Sequence, residues 1–156
     1  MPNTFTQLNI HAIFSVKGRK NLLHKDIRGQ IFQYIHGICR GIGLFPLAVN
    51  GYSDHVHVFF ELSPSISVAK ALQDIKANSS KWINQSDHFH GEFSWQAGYG
   101  AFTYSRSQRD HVIKYITNQE QHHSAKTFRN EYLELLKLFE IQYDERYLFE
   151  FYDDII

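Results

Sequence analysis

Hydrophobic positions along the chain alternate first and then cycle. Over residues 4–16, Leu8, Ile10, Ala12 and Phe14 fall on one side, the period of a half-buried strand. A basic loop, KGRKNLL, follows. Residues 24–42 then bring Ile27, Ile31, Tyr34, Ile35 and Ile38 to one face of a helix, which Gly41 and Gly43 end. Residues 44–62 hold two strand-like runs around a polar turn at 50–54 and predict a hairpin. Pro64 and Ser67 lead into a second helix over 68–85, with Val68, Ala71, Leu72, Ile75 and Trp82 as its apolar positions. After a polar loop bearing His88 and His90, residues 99–104 read as another strand. Ser107 is placed to cap a helix over 108–122, and a last helix covers 127–139.

That order, β-α-β-β-α-β and then helices, predicts an α+β chain with the split βαβ pattern of ferredoxin-like folds. The expected architecture is one antiparallel sheet with helices mainly on one face, plus C-terminal helices. With 156 residues and no Pro/Gly-rich linker, a single domain over 1–156 is expected. Such a fold assigns no activity by itself.

Charge changes the picture in one respect. Lys and Arg total 16, as do Asp and Glu, so the chain is not built to coat duplex DNA through bulk electrostatics. The distribution is uneven, however. From Glu131 onward, Glu131, Glu134, Glu140, Asp144, Glu145, Glu150, Asp153 and Asp154 face only Lys137 and Arg146. An acidic tail leaves the remainder net basic, compatible with a local nucleic-acid site. The single cysteine, Cys39, rules out an internal disulfide and a multi-cysteine zinc site, and it lies on the apolar side of the first helix. No signal-peptide pattern opens the chain, and no apolar run approaches the ~20 residues that span a bilayer. A cytoplasmic protein without a membrane partner is therefore expected.

Two features could carry chemistry. In His55-Val56-His57, strand alternation sends both imidazoles to one face, where two nitrogens can chelate a divalent ion and leave positions open for oxygen ligands. The plain alternative is the polar face of a half-buried strand. In Tyr115-Ile116-Thr117-Asn118-Gln119, Tyr115 and Gln119 stand one helical turn apart. A tyrosine can attack phosphorus and hold the product as a covalent phosphotyrosine. Its ordinary pKa, near ~10, calls for a nearby cation or base. The alternative is a ring packed on the sheet. His122 and His123 follow the tyrosine's helix and could sit near the site, but read first as helix-end residues stabilised by the dipole, and His88-x-His90 reads as incidental.

Together these pieces resemble a known family. Asp54-His55-Val56-His57 is similar to the His-hydrophobic-His signature of HUH nucleases. Trp95-Gln96-Ala97-Gly98-Tyr99-Gly100-Ala101-Phe102, followed by the stretch from Val112 to His123, resembles the second half of single-tyrosine transposases of the insertion-sequence 200/605 type. The resemblance implies cutting and rejoining of single-stranded DNA at insertion-sequence ends, with recognition of subterminal hairpins. It also implies a homodimer that uses Mg²⁺ or Mn²⁺ and no nucleotide cofactor. Carried over by position, it makes His55, His57 and Gln119 metal ligands and Tyr115 the nucleophile. Lys17, Arg19 and Lys20 are candidate DNA contacts, with a solvated loop as the alternative, and Phe93, Trp95 and Tyr99 either stack bases or anchor the core. Rival readings are a host-domesticated relative acting on repeated palindromes, a plasmid relaxase, and a non-catalytic single-stranded nucleic-acid-binding module. The last has no use for a tyrosine beside a metal ligand.

Overall fold

A four-stranded antiparallel sheet in the order β2-β3-β1-β4 organises the computed structural model, which describes residues 3–87, 89 and 91–153. The strands are β1 (Asn9–Ser15), β2 (Phe45–Gly51), β3 (His55–Glu61) and β4 (Gly100–Tyr104). The helices are α1 (Lys25–Gly41), α2 (Val68–Asn84), α3 (Arg109–Thr117), α4 (Gln119–His123) and α5 (Phe128–Leu138). The α+β class and split βαβ order follow the periodicity. His88 and His90 lie outside the described residues.

The first strand is shorter than the alternation predicts. Its partner β3 ends at Glu61, opposite Asn9, and the pairing closes with the Leu62 N–H donating to the Leu8 carbonyl at 2.8 Å, so residues 4–7 lie beyond it. Every residue of β1 is buried, because both faces of the sheet are covered. Ile10, Ala12, Phe14, Val56, Val58 and Phe60 pack on one face with Ile27, Ile31 and Ile35 of α1 and Leu72 and Ile75 of α2. On the other face, Ile13 and Phe102 meet Phe128, Tyr132 and Leu136 of α5, while Phe59 and Ala48 meet Val112 and Ile116 of α3. The C-terminal helices thus supply a second layer over the face that carries His55 and His57.

Cys39 is fully buried in the main core. Phe93 and Trp95 are buried there too, with their rings edge-on to one another and Trp95 edge-on to Phe14 as well; this pair anchors the core, while Tyr99 is exposed.

Two details of the third predicted helix differ. Ser107 does not cap it: its hydroxyl pairs with that of Ser105, within a short 3₁₀ turn at Arg106–Gln108. The helix also breaks after Thr117. Asn50 of β2 donates its amide to the carbonyls of Ile116 (3.0 Å) and Thr117 (3.2 Å), and the chain restarts as α4 at Gln119.

The hairpin between β2 and β3 is tight. A methyl group on Gly51 would collide with the backbone carbonyl of His55. Gly51→Ala should cost about 1–3 kcal/mol of stability, the usual penalty of forcing atoms into a packed site. A urea titration should show a lower midpoint than wild type, and an unchanged midpoint would mean that the turn relaxes freely.

Candidate functional site

His55 and His57 project from β3 onto the face covered by α5, and neither has accessible surface. Each ring is tethered from behind. His55 Nδ1 lies 2.7 Å from Asp54 Oδ1, and His57 Nδ1 lies 2.7 Å from His11 Nε2 on the neighbouring strand. Their Nε2 atoms face Glu131 of α5, whose Oε1 is 3.3 Å from His55 and 3.1 Å from His57. Phe128, one turn before Glu131, lies flat on the His55 ring, 4.0 Å between centroids and 5° between planes.

Tyr115 and Gln119 reach the same carboxylate from two different helices. The Tyr115 hydroxyl donates to Glu131 Oε2, and Gln119 Nε2 donates to that oxygen at 3.0 Å. Gln119 Oε1 sits 3.0 Å from His55 Nε2. The structure therefore gathers all four of the residues His55, His57, Tyr115 and Gln119 at one point. It adds Glu131 and His123, whose Nε2 is 3.1 Å from Glu131 Oε1.

Sequence reasoning misses Glu131, which reads as one of the acidic residues of the tail, and gives His123 a place near the site only as the second reading to a helix end. One signal for Glu131 was available: Phe128, Glu131, Tyr132 and Leu136 share a helical face, so a carboxylate interrupts an apolar stripe.

Electrostatics in this pocket are governed by burial and by Glu131. Burial lowers the His55 pKa, but hydrogen bonds and charge from Asp54 and Glu131 outweigh it and raise it to about 10. His57 stays below its ordinary value because burial dominates the opposing pull of Glu131. Burial works to raise the Glu131 pKa, yet the surrounding imidazoles hold it far below the carboxylate range. Tyr115 is pushed well above an ordinary phenol, first by burial and then by the Glu131 charge. In this arrangement the hydroxyl keeps its proton.

The donor set fits a divalent cation. One nitrogen each from His55 and His57 and one carboxylate oxygen of Glu131 lie within 4.8 Å of one another, a mixed nitrogen and oxygen set suited to a first-row ion. A cleft of about 280 Å³ lined by Tyr52, Asp54, His123, Lys126, Phe128 and Tyr152, among others, opens beside the centre.

The basic loop begins next to this end of the sheet, where Val16 N–H donates to the Asp54 carbonyl at 3.0 Å. Lys17, Arg19 and Lys20 are exposed, and Arg19 lies over the Tyr152 ring at 5.5 Å.

The family model described as "Transposase IS200 like" matches residues 4–119. The chain belongs to the IS200-like transposase family. Among curated proteins it is similar to the ISDra2 transposase TnpA of Deinococcus radiodurans, with 24% identity over 118 residues, 72% of this chain and 84% of that protein. The fold is shared with a crystal structure assigned as a transposase from Deinococcus radiodurans R1, at a TM-score of 0.57 and 22% identity over 75% of this chain and 94% of that one. It is shared too with a REP-associated tyrosine transposase bound to a REP hairpin, at a TM-score of 0.56 and 14% identity over 78% and 72% of the two chains. The IS200-like match contains His55, His57, Tyr115 and Gln119 and stops short of α5, so Glu131 comes from a segment outside it. Among the described residues, no helix is long and apolar enough to cross a membrane.

Glu131→Gln keeps the side chain's shape and removes its charge. Losing even an outer partner of a metal ligand costs roughly 10–100-fold in affinity, and a direct ligand no less. Calorimetric titration of the variant with Mn²⁺ should therefore show at least about tenfold weaker binding. Equal affinity would remove Glu131 from the centre.

Proposed function

We propose that the chain, acting as one domain, cleaves and rejoins single-stranded DNA at the ends of an insertion sequence through a 5′-phosphotyrosine intermediate on Tyr115. The observation that carries this reading is the convergence of Tyr115 with His55, His57, Gln119 and Glu131 in one buried pocket of an IS200-like transposase.

His55, His57, Gln119 and Glu131 would hold Mg²⁺ or Mn²⁺. When bound, that ion neutralises charge on the scissile phosphate and on the site's own carboxylate. Asp54 and His11 keep the ligand rings in place from behind. Tyr115 Oη forms its bond to phosphorus as the bond to the 3′-oxygen breaks, and the phenolic proton appears, in net terms, on the released 3′-hydroxyl. The DNA 5′ end stays on Tyr115 until another 3′-hydroxyl reverses the step. No nucleotide cofactor is needed, because the phosphodiester bond is exchanged and its energy conserved.

Access sets a further requirement. Phe128 and Glu131 roof the ligands, so a phosphate reaches the centre only when α5 shifts away from β3. The cleft beside His123 and Phe128 is the side from which a single strand would enter, with Lys17, Arg19 and Lys20 at its approach as backbone contacts. Hairpin recognition is proposed by likeness to the REP-associated transposase, whose structure holds a REP hairpin.

Tyr115→Phe removes one oxygen and keeps the ring. It should keep the fold, at a cost of about 1–3 kcal/mol for the hydrogen bond lost to the buried Glu131 carboxylate, and abolish the covalent adduct that a labelled single-stranded oligonucleotide forms with wild type in Mg²⁺ or Mn²⁺. Tyr99→Phe is the control and should still form it. Adduct formation by Tyr115→Phe, or hydrolysis that frees both DNA ends from wild type, would reject Tyr115 as the nucleophile.

The chain is proposed to act as a homodimer. β4 leaves one edge of the sheet unpaired, and Leu138, Ile141, Tyr143 and Tyr147 expose apolar surface near it. Light scattering at micromolar concentration should give a mass near twice the 18.3 kDa of one chain. A mass near one chain would count against the dimer.

A further inference from the structure

Tyr52 lines two hollows. One is the cleft beside the centre, and the other is a cavity of about 440 Å³ whose walls include His24, Lys25, Arg28, Ser53 and Glu120. That volume falls in the range of sites that take a small ligand or one unit of a larger one. Lys25 is exposed there and Arg28 is buried. Among the described residues that line the cavity, Glu120 alone is acidic.

Arg28 is held in place by the hairpin turn. Its Nη1 donates to Ser53 Oγ at 3.2 Å, and its guanidinium lies over the Tyr52 ring, 4.9 Å from the centroid. Its Nη2 donates to Glu120 Oε1 at 2.5 Å. The two members of that ion pair differ sharply, since the Arg28 side chain is 10% exposed and that of Glu120 is 55% exposed. A buried guanidinium needs a partner, whereas an exposed carboxylate returns to water at little cost. An ion pair with one member in solvent is worth only about 0–1 kcal/mol. The result is a fixed cation whose anion is replaceable.

A phosphodiester offers the same pair of acceptor oxygens as a carboxylate, and the planar arginine fork matches either one. The location suits a nucleic-acid strand. Ser53 stands two residues before His55, and Glu120 directly follows Gln119, so Arg28 is tied to the two segments that bring those side chains to the centre. Two residues of chain span at most about 7 Å. A strand that lies in the cleft therefore has its neighbouring phosphates within reach of the cavity across Tyr52.

We propose that Arg28, with Lys25 beside it, binds a backbone phosphate of the single strand flanking the scissile one, and that Glu120 occupies the guanidinium until DNA displaces it. The proposal rests on the single-stranded-DNA reading given above and adds to it a contact apart from the centre and from the basic loop. Such a contact fixes the position of the strand and carries no base preference.

The test is a fluorescence-anisotropy titration of the full chain with a labelled, unstructured single-stranded oligonucleotide, in chelator and over a range of salt, with a thermal melt of each variant. Arg28→Gln should weaken binding by roughly tenfold, the worth of one charged hydrogen-bonded contact. It should also lower the slope of log affinity against log salt by about 0.7, the share of one phosphate on a single strand. Glu120→Gln should act in the opposite direction and tighten binding roughly two- to fivefold. That gain should vanish in the double variant. Both effects should be equal on oligothymidylate and on a mixed sequence of the same length. A pair that is only structural gives another pattern: both single variants melt at lower temperature yet bind as wild type does, which overturns the proposal. A gain from Glu120→Gln that persists without Arg28 overturns it too. An effect that varies with base sequence, or one confined to an oligonucleotide folded into a hairpin, overturns the assignment to a strand phosphate. If Arg28→Gln does not fold, Glu120→Gln and Arg28→Lys decide the matter; the lysine keeps the charge, loses the fork and should bind less tightly than wild type. Without divalent ion these readouts do not depend on Tyr115. Unchanged affinity in the variants removes Arg28 alone, whereas a wild type with no affinity for the single strand removes this proposal and the single-strand reading together.

Discussion

A single buried carboxylate organises the chemistry-bearing half of this molecule. Glu131 receives the Tyr115 hydroxyl and the Gln119 amide on one oxygen, and faces His55, His57 and His123 with the other. A carboxylate so enclosed is tolerable only because every lone pair has a partner or a compensating charge. The consequence is mutual. β3, the α3/α4 junction and α5 are locked to one another through a group that none of them could bury alone.

The same enclosure sets function against access. Packing Phe128 flat on His55 and driving Glu131 into the centre fixes the histidine rings and takes them out of solvent, which strengthens every electrostatic interaction inside. It also keeps the Tyr115 proton in place and closes the centre to solvent. Low dielectric and open access cannot both hold in one rigid arrangement, and α5 is the element that closes this one. That helix is short, and its apolar stripe is interrupted by the very group the centre needs.

The family match adds a division of labour along the chain. The segment shared with IS200-like transposases supplies the sheet, the histidine pair, the tyrosine and the glutamine. The roof and the extra carboxylate come from α5, which follows the matched residues.

Much of this was legible in the sequence. Alternation over β1, strand-like apolar runs over β2 and β3, and helical periodicity over α1 and α2 follow from the local spacing of apolar side chains, which the sequence reports directly. His55 and His57 were legible for the same reason, since strand geometry alone puts both rings on one side. The break after Thr117 was not, because it depends on Asn50, more than sixty residues away in sequence, taking two helix carbonyls. Nor was the role of Glu131 and His123. A glutamate among acidic neighbours reads as solvated, and only the folding of α5 across the far face of the sheet takes it out of water. Local periodicity determined the elements and the paired histidines; long-range packing decided which polar groups were buried together, and that is what makes the site.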